Sequence, residues 1–111
     1  ALWSWGDGAE GEETVNSYEQ LYEINGDHAG EAAAEIGLTY EGMEDYETAN
    51  SWYRKGIEKG YDFAMLYLGM NYLRGHGVPV DKNKAKALLQ QAISCHGEAE
   101  SVARKQLSDN S

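Results

Sequence analysis

One unit of this sequence occurs twice, and that repetition constrains the fold more than any other feature. Ala32-x-x-x-Ile36-Gly37-x-x-Tyr40-x-Gly42 is echoed by Ala64-x-x-x-Leu68-Gly69-x-x-Tyr72-x-x-Gly75. Ala49-x-x-Trp52-x-x-x-x-Ile57 is echoed by Ala85-x-x-Leu88-x-x-x-x-Ile93. The first pair is offset by 32 residues and the second by 36, because the loop inside the later unit is longer. A period of this size belongs to stacked helix pairs, each burying its apolar face against a neighbour. The small Ala32 and Ala64 let paired helices approach closely. Glycine inside a helix costs about 1 kcal/mol relative to alanine. Gly37 and Gly69 stand mid-helix, which predicts crossings too close for a side chain, with Tyr40 and Tyr72 filling space one turn later. Gly42, Gly60, Gly75 and Gly97 are expected to take turns that other residues adopt only with strain. The 13 glycines thus read as turns and crossings, not as disorder.

The remaining pattern is also helical. Thr14 or Asn16 can cap a helix carrying Tyr18, Leu21, Tyr22 and Ile24 near one face, and Asn25-Gly26-Asp27 ends it. A second helix is expected over about residues 29–41. Asp45 caps a third, with Ala49, Trp52, Tyr53 and Ile57 as its apolar stripe and Gly60 as its stop. A fourth covers about residues 62–74, with Ala64, Leu68 and Tyr72 on one face. Asp81 caps the fifth, lined by Ala85, Leu88, Leu89, Ala92 and Ile93. A short sixth has Val102, Ala103 and Gln106 facing inward. Apolar residues recur every three to four positions, not every two, so no strand competes. Residues 1–13, ALWSWGDGAEGEE, form an acidic arm whose Leu2, Trp3 and Trp5 are expected to pack on the domain or into a partner. The organisation is an arm (1–13) and one helical repeat domain (14–111). That domain holds a half-unit (14–28), two units (29–60 and 61–97) and a capping helix (98–108).

Ala64, Leu68-Gly69, Tyr72, Gly75-His76-Gly77-Val78-Pro79, Asp81, Lys84-Ala85 and Ala92 together resemble a Sel1-like repeat, a close relative of the tetratricopeptide repeat. The G-x-G-V-x-x-D-x-x-K-A loop is a fairly specific part of it. Residues 32–60 resemble the same repeat, with a shorter loop, Gly42-Met43-Glu44-Asp45-Tyr46, closer to the tetratricopeptide form. The helix around Tyr18 resembles the second half of a degenerate earlier unit. The resemblance implies an all-α fold: a short right-handed α-solenoid of antiparallel helix pairs, with five to six helices. It also implies an adaptor or scaffold that holds other proteins together or binds peptides. Relatives serve in signalling, bacterial envelope assembly and host contact, and some bacterial ones neutralise toxins as immunity proteins. The branch with paired cysteines in each repeat is not matched, since Cys95 stands alone.

Charge bears on the partner. Residues 1–53 carry 13 acidic and no basic side chains, and residues 54–111 carry 6 acidic and 9 basic ones. The halves stand at −13 and +3. Such a first half repels nucleic acid and attracts a basic partner through long-range steering; it also reads simply as a solvated acidic surface. No stretch reaches the roughly 18 apolar residues of a membrane span. No signal peptide stands in the sequence, which opens on Ala1. The compartment stays open between periplasmic or secreted and cytoplasmic, leaning to export. A homo-oligomer that covers the ends of so short a solenoid is compatible with the pattern.

Enzyme chemistry finds little foothold. His28, His76 and His96 lie in turns or at helix ends, and no Cys or His pair has zinc spacing. Gly6-Asp7-Gly8 is too acidic to cradle a phosphate. Cys95 and His96 are neighbours in sequence, but a dyad needs spatial pairing and an orienting third group; Cys95 reads as a small core residue. The carboxylates lack calcium-loop spacing. No cofactor, metal or catalytic residue is expected.

The expected function is protein or peptide binding. In paired-helix solenoids the first helix of each unit lines the concave face. Outward positions there are Glu31, Glu35, Leu38, Thr39 and Glu41 in the first unit, and Leu66, Tyr67, Met70, Asn71 and Arg74 in the second. Tyr67 and Met70 are the expected anchors, because large adaptable side chains dominate interface energy. The bland alternative is that both pack on the flanking helix or on Trp3 and Trp5. A general interaction scaffold and a dedicated inhibitor, such as a toxin-neutralising immunity protein, both fit these features.

Overall fold

Two helix starts in this protein follow from side-chain capping. The computed structural model describes residues 19–20 and 28–109. The described residues hold α1 (Ala29–Gly42), α2 (Tyr46–Glu58), α3 (Asp62–Arg74), α4 (Lys82–Ser94) and α5 (Glu100–Asp109), with no strand among them. Asp45 starts α2 by accepting the Thr48 N–H at 3.4 Å, and Asp81 starts α4 by accepting the Lys84 N–H at 3.1 Å. Gly75 ends α3 at φ 75°, and its N–H bonds to the Asn71 carbonyl. Glu19 and Gln20 are helical. The rest of the half-unit expected at 14–28, apart from His28 in its turn, lies outside the described residues, as does the arm at 1–13.

Two of the expected turn glycines act differently. Gly42 is the last residue of α1, and Glu44 takes the left-handed position at φ 63°. At the end of α4 it is His96, at φ 53°, and not Gly97. Gly97 is needed for space instead: a Cβ there would run into the Asp62 carboxylate. The same carboxylate accepts the Ala99 N–H at 3.1 Å, so residues 95–99 form a pinned turn. For that reason α5 begins at Glu100 and not at residue 98.

The strongest packing is of α1 on α2 and of α3 on α4, with α2–α3 as the joint between the pairs. Gly37 is crowded by the ring of the fully buried Tyr53 on α2. A Cβ at Gly69 would lie 3.3 Å from Ala85 O and 3.4 Å from Leu88 Cβ on α4. Both crossings are close, and the first is the closer. The core has two centres. One gathers Ala49, Tyr53 and Leu68; the other gathers Met65, Leu66, Leu89, Ala92, Ala99 and Ala103. Both draw on α3, which is buried on two sides. Val102, expected inward, is 40% exposed, because α5 meets the core through Ala103 and Leu107, beside Ala99 of the preceding turn. Cys95 is likewise exposed and no core residue, although its thiol lies 3.8 Å from Met65 Sδ. Among the described residues no helix is long and apolar enough to cross a membrane.

Candidate partner-binding cleft

The helical period aligns residues of α1 and α3 along facing edges. Leu38 and Glu41 stand three apart on α1; Tyr67, Met70, Asn71 and Arg74 stand at i, i+3, i+4 and i+7 on α3. Together they line an open cleft of about 170 Å³. Asn71 is spent on structure there. It is buried, and its Nδ2 donates to Asn50 Oδ1 at 2.7 Å. Asn50 Nδ2 in turn donates to the His76 carbonyl at 2.8 Å. The two amides therefore tie α2, α3 and the loop after α3 together. Gly77, at φ 75°, lets that loop lie against Tyr46 and Asn50. The His76 ring meets Tyr46 at 4.5 Å between centroids.

Aromatic rings back the cleft. Tyr67 contacts Tyr53 at 5.5 Å and Phe63 at 6.0 Å between centroids. Burial raises the Tyr67 phenol above its ordinary pKa, and the charges of Glu35, Glu41 and Asp62 raise it further. Tyr53 is held up more strongly, by burial first and then by Glu41. The Tyr53 hydroxyl and Glu41 Oε1 are buried, and neither makes a well-formed hydrogen bond. Glu41 nonetheless lies close enough to the phenol to raise it through both its charge and a side-chain contact. Arg74 is exposed and pairs with none of the described carboxylates.

The family model described as the Sel1 repeat matches residues 30–61 and 62–96. The chain belongs to the Sel1 repeat family. No curated protein and no solved structure matches it. Sel1 repeats are non-catalytic modules of protein–protein interaction. Here α1 belongs to one Sel1 repeat and α3 to the next, so the cleft lies across their junction.

Of the residues expected to face a partner, Leu38, Tyr67, Met70, Asn71 and Arg74 meet at this junction, with Glu41 among them. Leu66 does not. It is 2% exposed, inside the core that α3 shares with α4 and α5. Glu31 lies toward the start of α1, 3.4 Å from His28 Nδ1. Thr39 donates its hydroxyl to the Glu35 carbonyl one turn earlier at 3.0 Å. Glu35 stays outside the lining but close enough to act on Tyr67. Sequence reasoning missed Tyr53 and Asn50 as supports of this face, because a helical pattern marks them only as inward. An asparagine at an inward position was the available signal, since a buried amide demands partners.

Among the described residues no group of three or more His, Cys, Asp or Glu is placed to hold a metal ion. The Cys95 thiol and the His96 ring turn to different partners, Met65 and Glu100. At about 170 Å³ the cleft falls below the roughly 300–1,000 Å³ of small-molecule sites. It is the size of a side chain.

Proposed function

We propose that this Sel1-repeat chain is a non-catalytic module that seats a protein or peptide partner on the α1–α3 face, with Tyr67 and Met70 as anchors. The observation that carries this reading is the cleft between successive Sel1 repeats, with apolar walls and a charged edge. Tyr67 and Met70 are both half-buried, so each gives a partner a fixed surface at small entropic cost. The acidic first half, with no Lys or Arg in residues 1–53, favours a basic partner. The same asymmetry favours a second reading, a dedicated inhibitor of one basic protein such as a toxin.

The test is a pull-down from the source organism with the full chain, followed by affinity measurement. One basic protein bound at nanomolar strength supports the inhibitor; several weaker partners support the scaffold. The Tyr67→Ala, Met70→Ala double variant should weaken the recovered partner by at least about tenfold, or about 1.4 kcal/mol. Its helical circular dichroism should be unchanged. Unchanged affinity sinks the assignment of this face.

A further inference from the structure

We propose that the cleft between the two Sel1 repeats takes a single lysine or arginine side chain of the partner, with its stem along Leu38, Tyr67 and Met70 and its cationic head on Glu41. This rests on reading the α1–α3 face as the binding surface. Four features define the occupant. The volume of about 170 Å³ suits one side chain, not a strand or a cofactor. The walls are aliphatic, thioether and aromatic, which matches a long methylene stem, and the Tyr67 ring adds cation–π attraction. The cleft carries a carboxylate that no described cation pairs, and Glu35 and Asp62 add to the negative charge around Tyr67.

The fourth feature is an unmet polar need. Glu41 Oε1 and the Tyr53 hydroxyl are shut off from water and make no well-formed hydrogen bond, and Tyr53 itself is 0% exposed. Such atoms are costly to bury. A charged donor entering beside them supplies a short, charge-assisted bond to the carboxylate. An acidic side chain would meet Glu41 head-on. Arg74, exposed on the same lining, is the internal competitor for Glu41.

The full chain, immobilised, would be panned against a random-peptide library, and the enriched peptides measured against variants. The expected consensus holds one obligatory Lys or Arg. Glu41→Gln, which keeps the shape and removes the charge, should weaken those peptides about tenfold. Arg74→Ala should strengthen them a few-fold. These opposite signs separate a charge role from a merely structural one, and Arg74 is exposed enough that its loss leaves the fold intact. Peptides that enrich without a basic residue, or that tolerate Glu41→Gln, overturn the slot and leave the face standing. No enrichment, or enriched peptides that leave the NMR signals of Leu38, Tyr67 and Met70 unmoved, overturns both. Nuclear Overhauser contacts from the Met70 methyl to the Trp3 or Trp5 indole would assign the cleft to this chain's own N-terminal segment and overturn the proposal.

Discussion

Gly37 and Gly69 hold equivalent places in the two Sel1 repeats, but their surroundings differ enough to give different expectations for one substitution. Alanine in a helix interior is favoured over glycine by about 1 kcal/mol. At Gly69 the new methyl meets Ala85 O at 3.3 Å and two leucine carbons at 3.4 Å, contacts that a small shift relieves. At Gly37 it runs into the Tyr53 ring, which is fully buried and has nowhere to go. Overpacking of that kind costs about 1–3 kcal/mol. Gly37→Ala should therefore destabilise by up to about 2 kcal/mol after the propensity gain. Gly69→Ala should stay within about 1 kcal/mol of the parent. Urea unfolding of both variants checks this, and equal losses would mean that the two crossings are equally tight. The repeated glycine was legible in the sequence as a crossing. What crosses it was not, because Tyr53 and Leu89 occupy matching positions and only their bulk separates the two cases.

At the scale of elements, the helices were legible because their ends carry explicit chemistry: Asp45 and Asp81 cap as their positions suggest. The burial of α3 was misjudged. Its near-continuous apolar run, MLYLGMNYL, was assigned one inward face, yet α3 lies between α2 on one side and α4 with α5 on the other. A helix apolar nearly all round is a buried helix, and that run was the overlooked signal for Leu66 and Asn71. The start of α5 was illegible for a different reason. It depends on Asp62, 37 residues away in sequence, whose carboxylate holds the Ala99 N–H. Asp62→Ala should free the α4–α5 turn and fray the start of α5. Amide exchange at Ala99 and Ala103 should accelerate by at least about tenfold relative to the Ala49 and Ala64 amides, which corresponds to about 1.4 kcal/mol of local opening. Uniform acceleration at all four would instead place Asp62 in the global fold.

For the whole molecule, the joint between repeats decides cooperativity. Neighbour interfaces carry much of the stability of a repeat array. Gly56 sits at that joint, where a Cβ would lie 2.8 Å from Ala64 Cβ and 3.2 Å from Gly30 O. Gly56→Ala should wedge α1 and α2 away from α3, lowering the urea m-value and separating the transitions of the two repeats. A shift of midpoint at constant m would show that the joint yields without uncoupling. The junction also sets a response to alkali. Tyr61 is pushed up to about 12, by burial first and then by the charge of Glu31. Tyr53 and Tyr67 are raised as well, again by burial first and then chiefly by Glu41 and Glu35 respectively. In the unfolded chain a tyrosine ionises near pH 10. Below that pH both states keep these protons, and the full stability is present. Between about 10 and 12 the unfolded chain loses protons that the folded chain retains, so stability must fall as pH rises. The urea midpoint should stay level up to about pH 10 and then decline steadily, with the tyrosinate absorbance of Tyr53, Tyr61 and Tyr67 appearing only as the chain unfolds. Tyr53→Phe should flatten part of that decline. Near neutral pH it should cost little, since its hydroxyl makes no well-formed hydrogen bond. A large neutral-pH loss would instead mean that the hydroxyl holds Glu41 in place.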